Sequence, residues 1–539
     1  MVDLNKVWYK FYSPRVRPRL HYPDLTMPQY LDKSAKDFPE RAAIVFAETQ
    51  YSFRKLAGLV NQCAGALNAL GVKKGDRVAI MSPNCPQYIL GFLATLKLGA
   101  VVVQVNPMYV ERELEYILKD SGAQTIIAYD ALYRRIKNVR SRVALQNVLV
   151  FTLGKGSVAI DSNALQIEEL LPQYPTQFQQ VPLDMDEDIA VFQYTGGTTG
   201  VSKGAMLTHR NLTANTLQVT EWMETMKYGK DKVLCALPFF HSYGMTGCLN
   251  FSIINAATMI IMAQFNIKEC MELIKHEKPT IFPGVPTMYI AVNNYPNAQG
   301  YGIKSIKSCM SGSAPLPMEV VEQFEKLTEG LLVEGYGLSE ASPVTHCNPL
   351  LERRKVGSIG IPLPDTDCKI VDLETGLREL PPGEIGELCI KGPQVMKGYW
   401  NMPEETANTL KNEWLYTGDI AKMDEEGYCY IVDRKKDIII AGGYNIYPRE
   451  IEEVLYEHPK IREAVAVGVP DPYRGETVKA FIVLKEGMQA DAKEIIHYCR
   501  ANLARYKVPQ YVEFRNALPQ NVMGKVLRRI LREEESQKI

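Results

Sequence analysis

The spacing of apolar positions changes along the chain and divides it into two textures. Over residues 54–70, Leu56, Leu59, Val60, Cys63, Leu67 and Leu70 fall on one helical face. Residues 77–81 and 101–105 are short apolar runs of the buried-strand kind, and 87–98 is patterned as a helix between them. A further helix is expected over 111–119 and a further strand over 125–128. Strands alternating with helices predict parallel sheets covered on both faces. Residues 143–182 carry the weakest pattern. After about Pro362 the texture shifts to short strands (368–372, 387–391, 428–432) separated by turns such as Pro381-Pro382-Gly383, as in a small β-rich subdomain. The charged run Asp433-Arg434-Lys435-Lys436-Asp437 then separates two apolar strands and gives the clearest boundary. Beyond it a helix (449–456), strands (464–469, 478–484), a helix (490–503) and a strand (511–514) read as a compact α+β domain. The expected fold is α/β. A large N-terminal domain over 1–433 holds parallel-type sheets and the β-rich subdomain, and a small α+β domain covers 434–539.

Length and composition narrow the classes. A chain of 539 residues exceeds one core, which fits two or more folding units. The formal net charge of −1 gives no basic field, so nucleic acid is not the expected partner. Eleven cysteines are scattered without a CxxC pair, which fits reduced thiols in a cytoplasmic protein better than zinc or redox motifs. Residues 1–19 lack the apolar run of a signal peptide. Residues 233–267 contain no Lys, Arg, Asp or Glu. Pro238, His241, Ser242, Asn250, Ser252, Asn255 and Gln264 interrupt that stretch, so it reads as the buried wall of a binding cavity and not as a membrane span. Peripheral contact with a membrane, on the cytoplasmic face, stays open.

The chemistry begins at Tyr194-Thr195-Gly196-Gly197-Thr198-Thr199-Gly200-Val201-Ser202-Lys203-Gly204, which follows a strand-like run (189–194) and precedes a helix expected near Thr208. Four glycines allow close backbone approach, and hydroxyls and Lys203 supply donors and charge, as a polyphosphate requires. No Gly-Lys pair in the chain is followed by Ser or Thr, so this is not the GxxxxGK[ST] loop of ordinary NTPases. Taken alone, a flexible surface loop is an equal explanation.

The loop has company downstream: residues 238–244 (Pro-Phe-Phe-His-Ser-Tyr-Gly), 311–315 (Ser-Gly-Ser-Ala-Pro) and 334–340 (Glu-Gly-Tyr-Gly-Leu-Ser-Glu). There follow 416–419 (Tyr-Thr-Gly-Asp), 433–437, 442–445 (Gly-Gly-Tyr-Asn) and 519–525 (Pro-Gln-Asn-Val-Met-Gly-Lys). In this order and spacing the chain strongly resembles the adenylate-forming superfamily of acyl-CoA synthetases, carrier-protein adenylation domains and luciferases. The resemblance covers nearly the whole chain. It is closest to bacterial-type long-chain fatty-acid–CoA ligases, on the phosphate loop, residues 334–344 and Val469-Pro470-Asp471-Pro472-Tyr473-Arg474-Gly475-Glu476.

The resemblance implies ligation of a fatty acid to coenzyme A through an acyl-adenylate, with ATP and magnesium. Thr195, Gly196, Gly197, Thr198, Thr199, Gly200 and Lys203 would hold the β- and γ-phosphates. Glu340 would bind magnesium and Ser339 would reach the α-phosphate. Tyr336, on a strand with Glu334, Gly335 and Gly337, would lie against adenine, with Gly312, Ser313 and Ala314 as the other wall. Asp419 and Arg434 would hold the ribose, with Lys436 nearby. Lys525 would bridge the attacking carboxylate and the α-phosphate. Gly442, Gly443 and Tyr444 would line the pantetheine passage, and His241 would stand beside the acyl carboxylate. Asp433 would be the hinge of a mobile C-terminal domain. A homodimer is compatible with the resemblance. Three positions depart from the common pattern: Gly196 where relatives carry Ser or Thr, Ser339 for Thr, and Asn521-Val522-Met523 where relatives carry threonines. Rival readings are an acyl-AMP ligase that loads a carrier protein, a ligase for medium-chain or aryl acids, and a silent acyl-binding scaffold. The intact set Lys203, Glu340, Asp419, Arg434 and Lys525 opposes the last.

Overall fold

Alternating apolar runs and amphipathic helices build most of the chain. Val78, Ala79, Ile80 and Met81 are fully buried on the strand Arg77–Met81, and Val102 and Val103 on Val101–Val105. Strands buried on both faces take a parallel arrangement under helical cover. The computed structural model describes residues 6–154, 160–195, 202–441, 444–471, 474–521 and 524–538. These fall into two compact units: residues 1–367 with 390–415, and residues 368–389 with 416–539.

The first unit is organised on an eight-stranded sheet. Its order is Gly398–Tyr399, Lys203–Thr208, Ile189–Thr195, Val101–Val105, Arg77–Met81, Thr125–Tyr129, Asn147–Phe151, Leu165–Gln166. From Ile189–Thr195 to Leu165–Gln166 the pairs are parallel; Lys203–Thr208 and Gly398–Tyr399 are added antiparallel. The expected helices appear as Phe53–Ala69, Pro86–Lys97 and Glu111–Ser121. A second sheet joins Lys232–Cys235, Thr258–Ile261, Ala42–Phe46 and Thr49–Ser52. A third joins Ser308–Ser311, Leu331–Gly337, Val344–Cys347 and Ile361–Pro362. Ile281 bridges Val233 and Ser308 in parallel, so the second and third sheets run on through it.

The helix expected near Thr208 is present, but a strand that the pattern did not announce, Lys203–Thr208, comes between it and the phosphate loop, paired with Ile189–Thr195 so that Thr195 faces Lys203. The helix His209–Trp222 then starts behind Thr208, whose side chain accepts from the Asn211 N–H at 3.1 Å while Asn211 Oδ1 accepts from the Thr208 N–H at 2.9 Å. These two strands form a hairpin, and residues 196–201 between them lie outside the described residues. The Lys203–Thr208 strand escaped notice because Lys203 and Gly204 belong by composition to the loop.

The charge-free stretch is buried from Val233 to Met262, apart from partial exposure at Pro238, Phe240 and His241. It runs from strand to a π-helical turn, Met245–Asn250, to the strand Thr258–Ile261. Several of its polar residues find partners inside the fold, for example Asn255 to Thr220 Oγ1 at 2.9 Å and Thr246 to the Ser342 carbonyl at 2.6 Å. Among the described residues, no helix is long and apolar enough to cross a membrane. All eleven cysteines are buried and reduced.

The second unit holds the β-rich hairpins and the α+β segment. Trp414–Met423 pairs antiparallel with Cys429–Arg434, which sets Asp419 opposite Arg434. Beyond the short helical turn Lys435–Asp437, Ile461–Asp471 and Gly475–Leu484 form a long hairpin, with Tyr511–Phe514 parallel to the latter. The helices Pro448–Tyr456 and Ala492–Asn502 close one core around Ile451, Leu455, Ile495 and Cys499. The helix Arg528–Ser536 covers the other face through Leu531, against Val465, Val467 and Phe481.

Candidate active site

In the first unit the flanks of the phosphate loop are anchored. The Tyr194 hydroxyl donates to Asp120 Oδ2 at 2.5 Å, and burial with that carboxylate pushes the phenol far above its ordinary range. Ser202 Oγ donates to the Thr195 carbonyl at 2.8 Å, and the Ser202 carbonyl accepts from the Tyr116 hydroxyl at 2.8 Å. Both ends of the hairpin tip are thereby pinned to the helix Glu111–Ser121 that ends beside them. Lys203 leaves this anchor with its ammonium paired to the Glu405 carboxylate and 5.3 Å from the centre of the Tyr399 ring.

Glu340 sits on the turn Ser339–Ala341, which follows the strand Leu331–Gly337 and is closed by the Leu338 N–H donating to the Pro343 carbonyl at 3.0 Å. A Cβ on Gly337 would meet that carbonyl oxygen at 2.1 Å, so only glycine allows the chain to turn here. Glu340 Oε1 accepts from the Tyr399 hydroxyl at 2.8 Å. An ionised carboxylate offers about four lone-pair sites, so one phenol leaves acceptor capacity for a cation. One carboxylate together with phosphate oxygens and water is a donor set that magnesium accepts, and Glu340 fits that role.

Ser339 Oγ lies 3.2 Å from Ser242 Oγ. Ser242 opens the helical turn after His241, and His241 Nδ1 accepts from the Tyr243 N–H at 3.3 Å. Tyr243 is buried, and its hydroxyl donates to the Met310 carbonyl at 2.6 Å, which Tyr289 also reaches at 2.9 Å. Beside it lies an apolar cavity of about 20 Å³, walled by Val219, Met223, Tyr243, Gly247, Phe251 and Met310 among others. Gly312 and Ser313 follow the strand Ser308–Ser311, with Ser313 in the left-handed region (φ 70°). Gly312 abuts the Tyr243 ring, where a Cβ would come within 3.1 Å of it. Glu334 Oε2 accepts from the Leu316 N–H at 3.3 Å, tying residues 312–316 to the strand that carries Gly335 and Tyr336. The Tyr336 ring packs edge-on to His346 at 6.0 Å.

The second unit gathers the remaining candidates. Asp419 is almost covered and pairs with Arg434 at 3.3 Å. Its N–H donates to Thr417 Oγ1 at 3.1 Å, and Thr417 in turn donates to the Leu388 carbonyl at 2.8 Å. Lys525 stands in the same neighbourhood. Burial, and then the Arg434 guanidinium, push its ammonium down to about 7; Asp419 opposes this, while Arg528 and Lys436 add to it. The Lys525 N–H donates to Asn521 Oδ1 at 2.9 Å, and the Asn521 N–H to the Lys525 carbonyl at 2.9 Å. Asn521 thus sets the backbone at Lys525. Asp433 is buried; its carboxylate accepts from the N–H groups of Arg434 (2.7 Å) and Arg449 (2.8 Å). Burial pushes this carboxyl up to about 6 against the pull of Arg528. Gly442 and Gly443 lie outside the described residues, as does the side chain of Tyr444.

The structure thus joins Thr195, Lys203, Ser339 and Glu340 in one unit, and Asp419, Arg434, Lys436 and Lys525 in the other. Sequence reasoning missed Tyr399, Glu405, Asp120 and Ser242. The available signal was the run Gly398-Tyr399-Trp400 before Pro403-Glu404-Glu405, where a glycine and aromatics precede an acidic helix start.

Residues 31–400 match the AMP-binding enzyme family, and residues 450–525 match the AMP-binding enzyme C-terminal domain. The chain is 48% identical to a long-chain-fatty-acid–CoA ligase of Bacillus subtilis, over 99% of both chains. Two solved structures are similar: the ATP-bound MatB of Rhodopseudomonas palustris (TM-score 0.85, 31% identity, 95% of this chain and 99% of that one) and a fatty acyl CoA synthetase of Mycobacterium tuberculosis (TM-score 0.75, 31% identity, 95% and 99%).

Proposed function

The chain belongs to the AMP-binding enzyme family, and from that premise we propose how its residues divide the work. It is an AMP-forming acid–thiol ligase, joining a long-chain fatty acid to coenzyme A at the expense of ATP. The observation that carries the residue assignment is the contact between Ser242 and Ser339. Through it, the turn bearing Glu340 lies next to Tyr243 and the apolar cavity, so phosphate chemistry and hydrocarbon binding share one wall.

A carboxylate that attacks the α-phosphate meets a second anion. At an effective dielectric of about 20, two unit charges 4 Å apart repel by roughly 4 kcal/mol. Lys525 offsets that charge as the acyl-adenylate forms, and Lys203 and the loop donors hold the β- and γ-phosphates. Magnesium, when bound at Glu340, neutralises phosphate oxygens. Ser339 donates to the α-phosphate. Asp419 accepts from the ribose hydroxyls, and Arg434 orients that carboxylate and donates to the sugar, with Lys436 beside them. Tyr336 and residues 312–314 hold adenine. His241 orients the acyl carboxylate, its ring being set by the Tyr243 N–H that donates to Nδ1. In the second step the thiol of coenzyme A passes Gly442, Gly443 and Tyr444 and displaces AMP. A C-terminal domain over 434–539 turns about Asp433 between the steps; a few residues with changing φ and ψ suffice for such a hinge.

The cavity as it stands has room for about one water, far less than an acyl chain needs, so the chain enters by displacing side chains. Met223 and Met310 are suited to that, being flexible and apolar. The test is pyrophosphate exchange and thioester release with saturated acids of increasing length. Efficiency should climb up to about fourfold per methylene, from roughly 0.8 kcal/mol each, until the pocket ends. A preference for benzoate-like acids would remove the fatty-acid assignment. Acyl groups found on a phosphopantetheinylated carrier protein in place of free coenzyme A would move the acceptor.

A further inference from the structure

The segment from Met396 to Trp400 is stitched to both functional elements of the phosphate side. Toward the phosphate hairpin, the Lys397 N–H donates to the Met206 carbonyl at 2.9 Å and the Trp400 N–H to the Gly204 carbonyl at 2.8 Å. Gly398 and Tyr399 stand opposite Met206 and Ala205 on the strand that begins with Lys203. Toward the other element, the Met396 N–H donates to the Glu340 carbonyl at 2.7 Å. The side chain between them is Tyr399, 7% exposed. Its hydroxyl donates to Glu340 Oε1 at 2.8 Å, and its ring lies 5.3 Å from the Lys203 ammonium. Its backbone N–H donates to Thr406 Oγ1 at 2.9 Å, so the residue is fixed from the helix Pro403–Thr409 as well.

We propose that Tyr399 is a positioning residue that couples the phosphate-loop cation to the metal-binding carboxylate. Its hydroxyl occupies one oxygen of Glu340 and leaves the other for the metal, while its ring supports Lys203. Magnesium demands near-ideal octahedral geometry, so a carboxylate held to one free oxygen suits it better than one free to chelate with both. Losing a partner of this kind, bonded to a ligand and not to the metal, commonly costs about ten- to a hundredfold in metal affinity. Glu405 completes the arrangement as the counter-ion of Lys203 and has no bond to Glu340 among the described contacts. The inference rests on the reading of Glu340 as the magnesium ligand, and the experiment separates the two.

The measurement is equilibrium calorimetric binding of α,β-methylene-ATP to the intact protein, with Mn²⁺ and without metal. The ratio of the two dissociation constants is the coupling between metal and nucleotide. Tyr399→Phe keeps the ring and loses the hydroxyl. It should lower the coupling about tenfold and leave metal-free binding unchanged. Tyr399→Leu should also weaken metal-free binding, since support for Lys203 is lost. Glu405→Gln should change metal-free binding and keep the coupling. Glu340→Gln should abolish the coupling. If Glu340→Gln keeps full coupling, the metal reading fails and takes the inference with it. If Glu340→Gln abolishes coupling and Tyr399→Phe retains it, the role of Tyr399 alone is overturned. A Tyr399→Phe protein that loses metal-free binding equally, or that no longer makes thioester from supplied acyl-AMP, shows a merely structural tyrosine and overturns it too.

Discussion

The proposed function gives Lys203 and Lys525 the same kind of task, at nucleotide oxygens, yet the chain surrounds them differently. Lys203 has its counter-charge in hand: Glu405 pairs with it, an aromatic face lies beside it, and Glu340 is one hydrogen bond away through Tyr399. Lys525 shares its neighbourhood with Arg434, Arg528 and Lys436, against Asp419, which Arg434 already engages. The first lysine exchanges one anion for another when polyphosphate arrives. The second is short of negative charge until an anionic substrate supplies it. Interactions that become favourable only as the reacting anions assemble are the ones that raise a rate, and those satisfied beforehand mainly tune binding. The comparison therefore assigns binding to Lys203 and rate to Lys525.

The largest expected effect breaks the comparison at its second member. Lys525→Ala should lower acyl-adenylate formation by about 10²–10³, the loss typical of removing one aimed electrostatic partner. Thioester formation from supplied acyl-AMP should be largely retained, because the charge that Lys525 offsets belongs to the first step. Rate measurements on the separate half-reactions decide it; equal losses in both would end the assignment.

A titration sharpens the same contrast. With its ammonium pushed down to about 7 in the ligand-free protein, Lys525 is charged below that pH and loses its proton as pH rises through it. The kcat/KM of adenylation for ATP, which reports the free enzyme, should therefore fall above pH 7, approaching about tenfold per unit of pH. The profile of thioester formation from supplied acyl-AMP serves as the reference. A shared alkaline limb in both half-reactions would place the titrating group elsewhere.

How far the sequence could carry this contrast depends on the range of the interactions. Hydrophobic period located Phe53–Ala69, Pro86–Lys97 and Val101–Val105 to within a residue or two, since each pattern is written locally. The strand Lys203–Thr208 was hidden because its pairing with Ile189–Thr195 is invisible in composition. Asp419 and Arg434 were named by motif, but their apposition across two strands came only from the register. Tyr399 and Glu405 were missed for the same reason: Tyr399 is 59 positions from Glu340, and Glu405 is 202 from Lys203. The crowding that lowers Lys525 likewise needs three dimensions, because Arg434 and Lys436 lie far from it along the chain. An acidic pair at the start of the helix Pro403–Thr409 reads, without contacts, as ordinary complement to a helix N-terminus.

The smallest effect tests the hydrocarbon end, where neither lysine acts. Tyr243 is clamped between two glycines: a Cβ on Gly247 would approach its ring to 3.0 Å, and one on Gly312 to 3.1 Å. Its hydroxyl is tied to the Met310 carbonyl, so the ring has little freedom to yield. In Gly247→Ala the added methyl should therefore take space from the cavity that Gly247, Phe251 and Met310 line. The longest acid used efficiently should shorten by about one methylene, and efficiency at the original optimum should drop about fourfold, the equivalent of roughly 0.8 kcal/mol. Short acids should keep their rates, because their chains end before the methyl. The kcat/KM series over chain length reads this directly. A uniform loss at all lengths would mean that Tyr243 has shifted and disturbed Ser242 and Ser339 beside it. An unchanged series would mean that the acyl chain does not pass this wall, and the cavity would lose its role.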